Sequence, residues 1–207
     1  MTFTGFPEAA LDFYDDLETD NTRAFWTAHA DAYATCVKEP MIALCEALAE
    51  EFGDAKMFRP NRDVRFSADK SPYKTAQGAY VPAGPALGWY VQVSAAGLMT
   101  GAGFYQSTPE QLRKVREIIA GPRGSELEKL LERLRAAGWE VGGDTLATAP
   151  RGYDKDHPRI ALLRHKTLNV RHMYGFEPVI HTQDFADAVR ADWRAGRPLV
   201  EWFAEIL

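Results

Sequence analysis

The chain has 207 residues, 46% of them hydrophobic and 26% charged, and a formal net charge of -5. Those values belong to a folded globular protein and exclude extensive disorder. The acidic balance argues against general adhesion to duplex nucleic acid or to an anionic membrane, because both need excess positive charge. The N-terminus MTFTGFPEAALDFYDDLETD has neither the basic region nor the apolar core of a signal peptide. No apolar run approaches the roughly 20 residues that span a bilayer, so a cytoplasmic protein with no membrane partner is expected.

A first helix starts near Pro7, with Ala10, Leu11 and Tyr14 on one face. Asp20 or Asn21 caps a second helix that runs toward Pro40 and sets Trp26, His29 and Tyr33 along one side. A third covers residues 41–52 and ends near Gly53. The cysteines, Cys36 and Cys45, are nine positions apart. At about 100° per residue they are half a turn out of phase on one helix and cannot bridge. They read as small buried apolar side chains of a reducing compartment.

The periodicity then changes. Residues 62–66 alternate, with Val64 and Phe66 on one face and Asp63 and Arg65 on the other. Residues 77–81, 89–94 and 98–105 also read as strands, and Gly84, Pro85, Gly88 and Gly97 fall where turns are needed. Short links between successive strands predict an antiparallel meander. Two helices follow over residues 108–120 and 125–137, with Thr108 as an N-cap. Residues 166–174 hold one more strand, with Leu168, Val170 and His172 on one face, and the chain closes with helical segments around Phe185–Val189 and Leu199–Ile206. Helices, strands, then helices, without internal repeat or linker, predict a single α+β domain over residues 1–207.

Between positions 59 and 74 stand five basic residues (Arg59, Arg62, Arg65, Lys70, Lys74) and two acidic ones (Asp63, Asp69). The segment carries +3, so the remainder carries -8 of the total -5. Arginine forks and mobile lysines suit phosphate or carboxylate. The expected ligand-binding residues are Arg62, Asp63, Arg65, Asp69, Lys70, Tyr73 and Lys74, with Arg23, one turn before Trp26, projecting toward them. The expected ligand is a small anion, such as a phosphorylated one. Two other readings stand beside it. The segment can be a structural ion-pair network of a non-catalytic or interaction domain, with Asp63 neutralising Arg65 and Asp69 closing a turn before Pro72. Or it can serve a metal-independent enzyme in which Asp63, Asp69 or Tyr73 moves a proton.

The stretch RPNRDVRFSADKSPYKT resembles the uncharacterised bacterial and fungal family known as domain of unknown function 2461. The likeness continues in Asn21, Arg23, Phe25 and Trp26, in Tyr90 and Gln92, and in Gly101, Gly103, Tyr105 and Pro109. It extends to Pro150, Arg151, Gly152, Tyr153, His157 and Pro158, and to Leu163–Lys166. The resemblance implies one α+β domain and brings no activity, cofactor or catalytic residue with it.

Other chemistries lack their motifs. His29, His157, His165, His172 and His181 form no HExxH or other local ligand pair, so no metal and no cofactor are expected. No serine lies in a G-x-S-x-G elbow. The glycines from Gly97 to Gly103 match neither a P-loop nor a dinucleotide turn and mark close backbone approach instead. Tyr80, Trp89, Tyr90, Phe104 and Tyr105 read as core and sheet-face aromatics.

Overall fold

The structure, a computed structural model, describes residues 2–65 and 68–207; the expected roles of Phe66 and Ser67 fall outside them. Helix α1, Ala9–Thr19, buries Ala10, Leu11, Phe13, Tyr14 and Leu17. Helix α2, Arg23–Ala28, is capped by Thr22, whose hydroxyl accepts from the Phe25 N–H at 3.2 Å, not by Asp20 or Asn21. Helix α3, Ala30–Ala32, leads into a π-helical stretch, Tyr33–Lys38, and then α4, Glu39–Phe52. The expected break at Pro40 does not occur. That residue lies in the first turn of α4, where its missing N–H costs nothing.

The strands are β1 (Lys56–Met57), β2 (Ala76–Gly84), β3 (Leu87–Ser94), β4 (Gly97–Phe104), β5 (Glu140–Gly142) and β6 (Leu168–Gly175). They form one six-stranded sheet in the order β1-β2-β3-β4-β6-β5. Links of two residues make β2, β3 and β4 an antiparallel meander, and β1 and β5 pair antiparallel with β2 and β6. The fold is α+β, as the sequence predicts. Alternation is plain in β3: Leu87, Trp89, Val91 and Val93 are buried, while Tyr90, Gln92 and Ser94 are half-buried. Gly88 sits inside that strand and not in a turn; the turn is Pro85–Ala86, with Ala86 at φ 64°.

Residues 62–64 carry no strand, contrary to the alternation read from the sequence. Among the described residues an isolated bridge joins Asn61 and Tyr73, flanked by Arg62 N–H to the Pro72 carbonyl at 2.9 Å and Lys74 N–H to the Pro60 carbonyl at 2.8 Å. Pro60 and Pro72 accept these bonds but have no N–H to return, so a regular ladder cannot continue.

Helix α5, Pro109–Ala120, begins at Thr108 in a full capping box with Gln111. Helix α6 is Gly124–Ala136 and the short α7 is Ile160–Leu163. The two C-terminal segments read from the sequence are one helix, α8, Phe185–Ala204, which passes through Pro198. Among the described residues no helix is long and apolar enough to cross a membrane.

By internal packing the chain divides into two compact units. The first takes residues 1–81, 90–100 and 173–191, and its core includes Phe6, Tyr14, Leu17, Met41, Leu44 and Phe185. The second takes residues 82–89, 101–172 and 192–207. There Phe104 stacks on Phe203 at 5.2 Å and Trp89 on Trp193 at 6.1 Å.

Candidate functional site

The basic segment lies wholly in the first unit and forms a loop closed at its base by the Asn61–Tyr73 bridge. Tyr73 is the buried end of this loop. Its ring stacks on Trp26 of α2 at 4.2 Å and 10° between planes. Its backbone is held by Asn21, whose amide nitrogen donates to the Tyr73 carbonyl at 3.0 Å and whose amide oxygen accepts from the Tyr73 N–H at 3.1 Å. A side chain here replaces a neighbouring strand. Asn21 does this, and not the helix capping its residue type suggests.

Gln77, 1% exposed, ties the same base to the helices. Its nitrogen donates to the Phe58 and Gly78 carbonyls at 2.9 and 2.8 Å, and its oxygen accepts from the Tyr33 hydroxyl at 2.6 Å. Burial pushes the Tyr33 hydroxyl up to about 12, so it remains a proton donor throughout the physiological range. Tyr33 opens the π-helical stretch. Gly78 leaves room for Tyr90, since a Cβ there would lie 2.2 Å from the Tyr90 hydroxyl oxygen. Tyr90 in turn donates to Gln92 at 2.8 Å.

Both carboxylates of the loop are taken by guanidinium groups. Asp63 receives Arg65 through Nε at 3.0 Å and Nη2 at 2.7 Å. Hydrogen bonds from the Arg65 side chain and backbone, then the charge of Arg59, hold Asp63 below the usual carboxylate range. The Arg65 side chain is 76% exposed, so this pair faces water. Arg62 pairs with Asp69, which also accepts from the Ser71 N–H at 2.9 Å and its hydroxyl at 2.6 Å.

Among the described residues the two lysines of the loop donate hydrogen bonds to backbone carbonyls. Lys70 donates to Val64 at 2.9 Å and Lys74 to Arg59 at 3.0 Å. Lys74 also lies over the Phe58 ring, 5.3 Å from its centroid. Partial burial, and then the charges of Arg59 and Arg62, lower its pKa from the ordinary lysine value. Among the described residues no carboxylate pairs with Arg59, Lys70 or Lys74.

Seven of the eight expected residues are thus in this loop. The eighth, Arg23, is exposed on α2, and no hydrogen bond or ion pair joins its side chain to the loop among the described residues. Asn21, Trp26, Tyr33 and Gln77, which position the loop, were not expected in that role; their partners lie too far along the chain to be read locally. Phe58, at 38% exposure, and Arg59 complete the surface around Lys74.

Elsewhere, His172 of β6 contacts both carboxylate oxygens of Asp192 at 3.1 Å. His165 is lowered from its ordinary pKa, mainly by burial. Cys36 and Cys45 are free thiols, and burial together with Glu46 pushes Cys45 up to about 12. Among the described residues no three His, Cys, Asp or Glu side chains gather as metal ligands do.

Residues 9–202 match the family described as "Conserved hypothetical protein (DUF2461)". No curated protein and no solved structure matches the chain.

Proposed function

The chain belongs to that family, whose description assigns no activity, and on the geometry of its basic loop we propose that it binds a small anion there, phosphorylated or carboxylated. One observation carries this reading: the internal ion pairs consume both acids of the loop and leave Arg59, Lys70 and Lys74 without a carboxylate among the described residues. Partial burial first, and then the charges of Arg59 and Arg62, lower the pKa of Lys74, and of these two arginines Arg62 is paired with Asp69. A bound anion relieves the repulsion between these charges. Asn21, Trp26 and Gln77 hold the loop base rigid, so the cations need little ordering on binding.

The scaffold reading retains specific support. Lys70 and Lys74 cap backbone carbonyls and Arg65 is spent on Asp63, as in a loop that only stabilises itself. Proton transfer by Asp63 or Asp69 has less, because each carboxylate is engaged by a guanidinium. The absence of a duplex nucleic-acid partner remains part of the proposal, on the acidic net charge of -5, and so does the cytoplasmic setting expected from the sequence.

The test is a melting series of the purified protein with inorganic phosphate, pyrophosphate and citrate, repeated for Arg59→Gln and Lys74→Gln. A ligand at a hundredfold excess over its dissociation constant stabilises by about 2.7 kcal/mol. The reading expects at least one anion to raise the melting temperature of the parent protein and not of the variants. No shift with any of them sinks it and leaves the loop as scaffold.

A further inference from the structure

The second unit holds a groove of about 350 Å³ lined by α6 and the C-terminal part of α8. Small-molecule sites run from about 300 to 1,000 Å³. The two walls of this groove differ in charge. Lys129 and Arg133, four positions apart on α6, share one face and make a basic wall. Glu201 and Glu205, four positions apart across the end of α8, make an acidic one. Among the described residues no carboxylate pairs with Lys129 or Arg133, and no cation pairs with Glu201. Glu205 is already engaged. It meets Arg123 at 2.6 Å, Glu126 meets the same guanidinium at 3.4 Å, and that group lies over the Trp202 ring, 5.8 Å from its centroid. Trp202 lines the groove, is 5% exposed, and has a buried indole nitrogen with no hydrogen-bond partner among the described residues. Buried polar groups are nearly always partnered, so this lone N–H calls for an acceptor.

We propose that this groove binds a free α-amino acid as its zwitterion. The ligand carboxylate accepts from the Trp202 indole N–H and lies against Lys129 and Arg133. The α-ammonium donates to the Glu201 carboxylate. An apolar side chain rests on Leu130 and Pro198, which also line the groove. The choice of ligand follows from the walls. Had they met, their charges would have paired with each other; they stay apart, and a molecule with both signs a short distance apart completes each of them. A simple anion suits the basic wall and is repelled by Glu201, and a simple cation meets the reverse. The three cations of the groove, Arg123, Lys129 and Arg133, are matched by three acids, Glu126, Glu201 and Glu205, so its net charge draws in neither sign alone. The site shares no residue with the basic loop, and either reading stands without the other.

The experiment follows the indole N–H itself. The chain has five tryptophans, so the proton–nitrogen correlation spectrum of the intact, nitrogen-15-labelled protein holds five indole signals, and Trp202→Phe identifies the one concerned. That protein is titrated with leucine, glycine, N-acetylleucine and leucinamide. The acetyl compound lacks the ammonium and the amide lacks the carboxylate. The expected result is a saturable downfield shift of the Trp202 indole proton with leucine, and a weaker one with glycine, which has no side chain to rest on Leu130 and Pro198. N-acetylleucine and leucinamide should each need at least about tenfold more ligand, as when one charged hydrogen-bond partner is lost. Lys129→Gln and Glu201→Gln change exposed residues and leave the fold intact; each should weaken leucine binding by a similar factor. An indole signal that neither leucine nor glycine moves overturns the proposal and leaves water as the partner of Trp202. Equal binding of leucine and leucinamide, or of leucine and N-acetylleucine, overturns it too, as does leucine binding unchanged in both wall variants.

Discussion

The side-chain amide of Asn21 and the backbone of Tyr73, 52 positions apart, exchange two hydrogen bonds of 3.0 and 3.1 Å. The pair is part-buried, so water does not readily replace either bond. Asn21→Ala leaves both backbone groups of Tyr73 without that partner. A loss of about 1–3 kcal/mol is expected, as for unsatisfied buried polar groups. Asn21→Asp keeps the acceptor and loses the donor, so it should fall between. Denaturant melts give the stabilities, and hydrogen exchange at the Tyr73 amide shows whether the loss is local. Equal exchange in parent and Asn21→Ala protein contradicts the assignment.

Lys74 gives a prediction with a defined sign. Its folded pKa lies below its ordinary value of 10.5. Between those two values the unfolded chain binds more protons than the folded one, and stability rises with pH. Lys74→Gln should therefore flatten the alkaline part of the stability curve in the window that ends at 10.5. At neutral pH it should leave stability unchanged or higher, because like-charge repulsion is removed. Urea melts across that range decide it, and a neutral-pH loss of several kcal/mol refutes the picture of an unneutralised cluster.

Two glycines of the first unit should differ under substitution by alanine. At Gly97, φ 95°, a Cβ would lie 1.9 Å from the Gly175 carbonyl oxygen, so backbone must move. At Gly78 it would meet the Tyr90 ring, which can rotate away by giving up its bond to Gln92. Both substitutions overpack, a class that costs about 1–3 kcal/mol and sometimes more. Gly97→Ala should exceed that range or fail to fold, and Gly78→Ala should lie within it. Melting temperatures in the opposite order would show the crossing at Gly97 to be softer than the geometry implies.

The thiols should label at different rates. Cys45 is buried and its thiol is pushed up to about 12, so almost none is thiolate at neutral pH. Cys36 is partly exposed. Mass spectrometry after brief iodoacetamide treatment should find Cys36 modified first, and Cys45 only when denaturant opens the fold. Equal labelling in the native protein would count against this packing of α4.

What the sequence disclosed was local. The Thr108 cap depends on a residue three positions away, and the β3 alternation depends on successive side chains, so both were legible. The Asp63–Arg65 pair was also foreseen, although on a strand that Pro60 and Pro72 prevent. Arg62 with Asp69, Asn21 with Tyr73 and Tyr33 with Gln77 were not foreseen, because each contact is made by chain closure and no periodicity announces it. The glycines near Gly97 pointed to close approach, but only the fold identifies Gly175 as the neighbour.

The π-helical stretch Tyr33–Lys38 binds chain length to chemistry. Its wide turn uses a longer hydrogen-bond step than an α-helix does. Removing one residue from it would restore ordinary winding and swing everything before it by about 100° relative to α4. Tyr33 would then lose Gln77, and the buried amide oxygen would need another donor. Insertions and deletions at this point of the helix should thus covary, across relatives of the chain, with the residue that stands at position 77. A pairwise count of gaps at 33–38 against amides at 77 would read, from sequences alone, which relatives hold their loop as this one does.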